Sequence, residues 1–567
     1  MVGEKDSARM QRRMLLDTVL LGVIGALSAQ LFLWMLAVAQ KLLLEGVAGY
    51  LPPMLPEEGG ALKEVIGAHG LWWIPIVTTL GGLLSGVIIY SLAPEAEGHG
   101  TDTAVKAFHR AGGYLRARVP ALKMLCSAIT IGSGGSAGRE GPTALISAGV
   151  ASFYGTLEHR SDRERRLLVL IGMAAGLSAI FRSPIGTALF AIEVLYSDME
   201  FDAGALLYTM LGAVVAYAVN GLFVGYSPLF QVPADLGSPS FTGYAWYILL
   251  GVVAGVVGTL LPVVFYRMRD LFAALPVPPH IKPAIGGLGI GLLALWLPQV
   301  LGGGYGWIQE AIDGSLPLKL LLLLTFGKIL ALSLTVSSGG SGGVFAPAMF
   351  VGAMLGGAMA DLFHQPPAAM VIVGMAAVFS GAARVPMATM LMVAEMTGGY
   401  QILVPAALSV VLSHITQVAL SGSLSLKYRS LYEAQVPGRA DSPAHRVEHL
   451  NSALRLAGEQ PGALPTGTGA ATLKGLLASG IPVNLPGGKQ LLLGVIREES
   501  SFAGTTISSH PPPDLDGQVE ILAAFREGRT YMPDSDFQLQ AGDQMLVVIS
   551  EGAKDQLMKQ HFAPILS

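Results

Sequence analysis

The sequence predicts a polytopic all-α membrane protein made of two repeated halves with broken helices, followed by a small α/β domain. Three observations carry this. Of 567 residues, 52% are hydrophobic and 13% charged, where soluble domains carry roughly 25% charged residues; the mean hydropathy is +0.56. Two glycine-rich blocks recur at nearly one spacing. From about Ser442 the apolar runs shorten to strand length, and charges and prolines return.

In chain order, residues 1–13 form a polar tail carrying Lys5, Arg9, Arg12 and Arg13. Basic residues ahead of a first span place the N-terminus in the cytoplasm. That span is too long for a cleavable signal peptide, and no small-residue cleavage site follows it. Runs near the roughly 20 residues needed to cross a bilayer occupy 18–38, 71–92, 203–224, 244–265 and 402–420. The 72 glycines suit close helix packing and re-entrant segments. A net charge of −4 gives no sign of nucleic acid, and the single cysteine, Cys126, excludes an intrachain disulfide.

The membrane part repeats itself. Thr130-Ile131-Gly132-Ser133-Gly134-Gly135-Ser136 matches Thr335-Val336-Ser337-Ser338-Gly339-Gly340-Ser341, an offset of 205 that also pairs Gly138 with Gly343, Pro142 with Pro347 and Glu140 with Phe345. A second block at offset 202 pairs Gly172-Met173-Ala174-Ala175 with Gly374-Met375-Ala376-Ala377, Arg182 with Arg384 and Glu193 with Glu395. Broken helices in corresponding places of two halves point to a transport fold with its site at the repeat interface. Whether the halves are inverted depends on a crossing count that the apolar runs leave open.

The stretch from Gly132 to Pro142 holds five glycines, Arg139 and Glu140 inside apolar surroundings. Glycine lets backbone N–H groups approach and point at a guest. Pro142 fits a first helical turn, and the apolar run after it reads as that helix. A helix start offers free N–H donors and the positive dipole end, which attract anions. Glu140 sits where a permeating anion would sit. A phosphate loop needs Lys-Ser/Thr here, and a dinucleotide fingerprint needs a βαβ setting; neither is present. The symmetric Arg182, Arg384, Glu193 and Glu395 read as structural ion pairs or as helix-end contacts across the repeats. No nucleophile–base set or metal cluster appears in the membrane part, so an enzyme, a cofactor and a metal are not expected.

Gly138-Arg139-Glu140-Gly141-Pro142 and Gly342-Gly343-Val344-Phe345-Ala346-Pro347 resemble the two signature motifs of the CLC chloride channels and proton-coupled chloride transporters. Gly98-His99-Gly100-Thr101-Asp102 stands where that family has Gly-Ser-Gly-Ile-Pro. Tyr432 resembles its tyrosine after the last helix. The resemblance runs from the first span to about Gln435. It implies a homodimer with one anion pathway per subunit, surrounded by lipid. It also implies a CLC fold of two inverted repeats of tilted and broken helices. Glu140 would be the gate. The anion would be bound by backbone and side-chain donors around His99, Gly100, Arg139, Gly141, Val344, Phe345 and Tyr432. Tyr432 as an interfacial aromatic and His99 as a plain loop residue remain alternatives.

Family transporters carry a second, proton-feeding glutamate directly after the position of Glu193. Here that residue is Val194, as in passive channels. The leading expectation is therefore a gated passive chloride channel. The alternative is proton-coupled chloride or other halide exchange, with Glu140 and Glu193 as proton-pathway candidates and protons as a partner beside chloride.

The expected boundaries are a tail at 1–14, a transmembrane domain at 15–436 with repeats at about 70–225 and 280–425, a linker at 437–490, and a cytoplasmic domain at 491–567. In that last domain 519–526 and 544–549 read as strands, Glu527-Gly528-Arg529 as a turn, and a helix begins near Ala553. Gly542-Asp543 before a strand resembles the TrkA-type C-terminal domain of potassium-uptake regulators, implying an unidentified small ligand or dimer support. A potassium-uptake component is the remote alternative. It would need a Thr-Val-Gly-like filter in each half, and Thr335-Val336-Ser337 is the nearest fragment and occurs once. Multi-pass insertion in an inner or plasma membrane with both termini cytoplasmic completes the expectation.

Overall fold

The computed structural model describes residues 2–198, 200, 203–233, 236, 241, 243–445, 483–485, 489–506, 519–526, 529–531, 537–550 and 554–563. Its contacts separate the chain into two units, Met1–Val105 with Leu115–Gln435, and Lys106–Tyr114 with Val436–Ser567.

The first unit is helical. α1 (Val2–Gln40) ends in a π-turn and a short hairpin of β1 (Tyr50–Leu51) and β2 (Val65–Ile66). There follow α2 (Ile74–Leu92), α3 (Thr101–Arg110), whose residues from Lys106 onward fall in the second unit, α4 (Arg118–Gly132), α5 (Glu140–Leu157), α6 (Asp162–Phe181), α7 (Pro184–Glu193) and α8 (Ala203–Val224). The second half supplies α9 (Tyr244–Ala274), α10 (Lys282–Ala294), α11 (Tyr305–Ile312), α12 (Leu318–Val336), α13 (Phe345–Leu362), α14 (Pro367–Ala383), α15 (Pro386–Thr397) and α16 (Leu403–Ser423). Among the described residues seven helices are long and apolar enough to cross a membrane.

Local chemistry sets many of these ends. Proline opens α7, α14 and α15, where a missing N–H is harmless. Ser161 and Glu164 form a reciprocal capping box at α6. α6 and α14 both stop at an arginine in the left-handed region, Arg182 at φ 54° and Arg384 at φ 57°. Those strained positions are compensated by hydrogen bonds. Arg182 donates to the carbonyls of Ser227 and Glu57, and Arg384 to Gln417 and Ser421. The two halves correspond helix by helix, α4–α8 with α12–α16, as the sequence blocks require.

The expected spans fall on α1, α2, α8, α9 and α16. α9 runs nine residues past the expected Phe265, to Ala274, straight through Pro262. The apolar run ends because Arg267, Arg269 and Asp270 are charged. The helix does not end there: the backbone ladder continues, and Arg269 pairs with Glu433 at 2.5 Å while lying over the Tyr266 ring.

The second unit holds an antiparallel sheet: β3 (Val483–Leu485), β4 (Lys489–Ile496), β5 (Val519–Arg526), β6 (Arg529–Tyr531), β7 (Gln544–Ser550) and β8 (Phe562–Ala563). The order is β3-β4-β7-β5-β6, with β8 on β4. Leu492, Ala524, Met545, Val547 and Phe562 form its core with Leu557 of α17 (Lys554–Gln560). Asp543 explains the Gly-Asp signature: Gly542 takes a left-handed turn, and the buried Asp543 carboxylate binds Arg526 at 2.6 and 2.7 Å and the Gln540 N–H at 2.7 Å. Glu527 and Gly528 of the expected turn, Ala553, and most of the expected linker (446–482) lie outside the described residues.

Candidate anion-binding site

The site grows from the starts of α5 and α13. Each is reached by the same turn, with Gly134 at φ 104° and Gly339 at φ 100°, a region that favours glycine. The two loops then touch. Gly138 and Gly343 exchange both backbone hydrogen bonds, at 2.7 and 2.6 Å, as a single antiparallel bridge. A second bridge, Gly98 with Ser341, brings in the His99 loop. Lys123 of α4, fully buried, fixes that loop by donating to the carbonyls of Ala96 and Gly98 at 3.0 and 2.6 Å. At Gly141 only glycine fits: an added Cβ would lie 2.1 Å from the His99 carbonyl oxygen. Residues from three distant segments are thereby placed together.

Glu140 is completely buried. One carboxylate oxygen accepts from the Tyr305 hydroxyl; the other accepts the N–H of Ala346, in the first turn of α13, at 3.3 Å. A carboxylate from one half thus occupies the helix start of the other. Arg139 turns elsewhere. It pairs with Glu58 and lies over the Tyr305 ring at 4.6 Å, with its Nε 4.0 Å from Glu140. The local positive charge is therefore already balanced. What remains for a guest is oriented N–H dipoles, which replace water around an anion without adding a full charge.

Val344 caps α13, and the buried Phe345 ring packs between Phe379, Phe181 and Phe190 at 3.9, 4.5 and 5.7 Å. The Tyr432 ring, also buried, lies 6.0 Å from Phe190 and 5.5 Å from His99. His99 keeps Nε2 3.5 Å from Asp102, and its buried Nδ1 has no hydrogen-bond partner among the described residues. Asp102 in turn accepts the N–H groups of Glu433 and Ala434, both at 3.1 Å, tying the Tyr432 segment to α3. Gly100 closes against Gly141. His99, Gly100, Glu140, Gly141, Val344, Phe345 and Tyr432 are therefore neighbours, with Arg139 at the edge.

Glu193 lies apart. Its two oxygens accept the N–H groups of Met387 and Ala388 at the start of α15, at 3.0 and 2.7 Å. Glu395 mirrors it, accepting Ile185 and Gly186 at 3.1 and 2.8 Å and the Ser183 hydroxyl at 2.6 Å. Of the two expectations for these symmetric charges, helix-end contacts are what the glutamates make. Among the described residues no ion pair joins these glutamates to these arginines: Arg182 and Arg384 bond to neutral groups, and Arg182 also lies 3.9 Å from Glu57. Val194 is buried at the end of α7.

Sequence reasoning missed Tyr305, Lys123 and Lys328. Lys328 donates to the carbonyls of Val300 and Gly302 at 2.8 and 2.7 Å, as Lys123 does in the other half. The signal was present: 328 − 123 = 205, the offset of the glycine blocks. Tyr305 carried a weaker one, its place directly after Gly302-Gly303-Gly304.

The helical bundle thus brings two amide-lined helix starts and a buried carboxylate to one point, the arrangement that the resemblance to the CLC class implied. The comparisons agree. The voltage gated chloride channel family matches residues 81–417, and the chain belongs to that family. A TrkA-C domain matches residues 495–560. The H(+)/Cl(−) exchange transporter ClcA of Salmonella arizonae is 32% identical over 363 residues, 61% of this chain and 76% of the relative. A chain that bears a ClcB-like chloride channel name in Ralstonia nicotianae is 30% identical over 372 residues, 64% of this chain and 86% of the relative. In fold the chain is similar to a slow cyanobacterial Cl−/H+ antiporter (TM-score 0.64, 23% identity, covering 74% of this chain and 96% of that one). It is likewise similar to a CLC-type fluoride/proton antiporter (TM-score 0.63, 23% identity, 75% and 98%).

Proposed function

We propose that this protein exchanges chloride for protons, with Glu140 as the group that yields its place to chloride. The chain is a CLC chloride transport protein; the finer reading concerns coupling. The observation that carries it is the Glu140 carboxylate hydrogen-bonded to the α13 helix start. A carboxylate there competes with halide for the same donors, and protonation removes its claim. The exchange transporters among the relatives support this reading over the passive channel first expected from Val194. Val194 remains the observation in favour of the channel, because an apolar side chain at that point relays no proton. Protons would then reach Glu140 by a route without that second carboxylate. His99 and Tyr432 would face the anion from the other side of Phe345.

Reconstituted vesicles decide between the two. An outward chloride gradient should drive uphill proton uptake, and Glu140→Ala should keep chloride flux while abolishing that uptake. Chloride flux with no proton movement in the unaltered protein would establish the passive channel. The resemblance also implies pairing of two copies. Outward apolar side chains on α7, α8, α15 and α16, such as Ile185, Leu207, Met387 and Val411, support that assembly, which single-molecule photobleaching in vesicles would count.

A further inference from the structure

We infer that Tyr305 is the latch of the gate: its hydroxyl holds the Glu140 carboxylate in the anion position and sets how readily that carboxylate leaves. The inference rests on Glu140 being the gating group. Tyr305 donates to one oxygen of Glu140 while Ala346 donates to the other, so the side chain is gripped at both ends. A hydrogen bond to an ionised acceptor is among the stronger kinds.

The grip is built rather than incidental. Tyr305 opens α11 directly after Gly304, which is left-handed at φ 83° and too close to Phe350 for any side chain. The loop carrying it is pinned by the buried Lys328 through the carbonyls of Val300 and Gly302. The ring is held on its flanks by Phe230, stacked at 6.0 Å, and by the Arg139 guanidinium at 4.6 Å, itself tied to Glu58. The hydroxyl is therefore aimed before the carboxylate arrives. Tyr305, Arg139, Glu58 and Gln40 also line a cavity of about 120 Å³, room enough for water beside the residues that hold the carboxylate.

Glu140 is faced by few charged or titratable groups. Among the described residues they are Arg139 from its own loop, balanced by Glu58, then Tyr305 from α11 and Tyr432 beyond Phe345. Of these, Tyr305 is the one whose removal takes away a hydrogen bond to the carboxylate and leaves the charges in place.

The test is a double-mutant cycle in proteoliposomes at fixed pH and saturating chloride. Tyr305→Phe keeps the ring and its stacking and removes only the hydroxyl. In the unaltered background it should raise chloride turnover roughly tenfold, the lower end of what a hydrogen bond to an ionised group is worth. In the Glu140→Ala background, where there is no carboxylate to hold, the same substitution should add less than about twofold. Flux from the double variant also shows that the substitution folds. An equal effect in both backgrounds would make Tyr305 a packing residue and overturn the latch. No effect of Tyr305→Phe, with Glu140→Ala still uncoupling protons, would overturn the latch alone. Wild-type chloride and proton fluxes in Glu140→Ala would overturn the gate and the latch with it.

Discussion

Replacing Glu193 separates a helix cap from a proton relay. Both of its oxygens are engaged by backbone N–H groups at the start of α15, at 3.0 and 2.7 Å, and the residue is wholly buried. Glu193→Gln removes the charge and leaves one good acceptor, so one N–H is left facing an NH₂ group. Losing a hydrogen bond to a charged acceptor costs about 1.5–3 kcal/mol, and losing the favourable charge at a helix N-terminus about 0.3–2 kcal/mol more. The variant should therefore be destabilised by about 2–5 kcal/mol. Glu193→Ala leaves two buried N–H groups without acceptors, at about 1–3 kcal/mol each. Its mirror Glu395→Gln should behave alike, since Glu395 holds the start of α7 with a third donor from Ser183. Melting of the purified protein in detergent, followed by the loss of its monodisperse chromatographic peak, should fall by at least a few degrees for each. The number of chlorides exchanged per proton by the surviving protein in vesicles should stay as in the parent. Loss of proton coupling in Glu193→Gln at an unchanged melting temperature would refute the capping argument and make Glu193 part of the proton route.

Other outcomes follow from the same geometry. Gly141→Ala puts a methyl group 2.1 Å from the His99 carbonyl oxygen and 3.0 Å from the Gly343 Cα, so chloride flux should drop at least about tenfold, the scale on which small misplacements at a reacting site act; flux near the parent's would mean the His99 loop is not part of the site. Lys328→Met leaves the carbonyls of Val300 and Gly302 without their donor, a loss of about 1–3 kcal/mol apiece if they stay dry, and Lys123→Met should lower the melting temperature by a similar amount; strongly unequal losses would break the proposed equivalence of the two lysines. Glu57, in the loop before α2, is held below the usual carboxylate range by the Ser227 hydroxyl and then the Gln231 amide. A depressed carboxylate lends its stability above the unfolded value and loses it as pH falls through the folded one. The melting difference between the parent and Glu57→Gln should thus hold from neutral pH down to the ordinary carboxylate value of 4.5 and shrink below it; a difference that disappears by pH 6 would contradict this. In the C-terminal unit Asp543→Ala takes the carboxylate away from Arg526 and from the Gln540 N–H, which should unfold that domain at lower denaturant, read by limited proteolysis.

Much of the site was legible because its chemistry is backbone chemistry. A glycine run ending in proline before an apolar stretch has few conformations other than a bent loop and a helix start, and the copy 205 residues later marked its partner. Glu140 stood out because a carboxylate in that setting has no local neighbour able to satisfy it. The Tyr305 contact, and the particular N–H groups that meet Glu193 in the helix-end role its repeat symmetry had suggested, were not legible in the same way. Their partners lie 165 and about 195 residues away, and neither spacing matches the repeat or any local motif. α9 shows the same limit from another side: hydropathy reports where charges begin, while a helix stops only where its hydrogen-bond ladder does.

The sequence by itself therefore determined the membrane character, the duplication, the glycine-built helix starts and the acidic residue placed among them, since each depends on composition or on neighbours within a few residues. The tertiary structure alone decided which oxygen of Glu140 meets which donor, that Arg139 is neutralised by Glu58, and which carbonyls and N–H groups the two lysines and the two glutamates meet. Those outcomes depend on how separate helices are packed, and a hydrogen bond is selected by an ångström-scale distance that no linear spacing encodes.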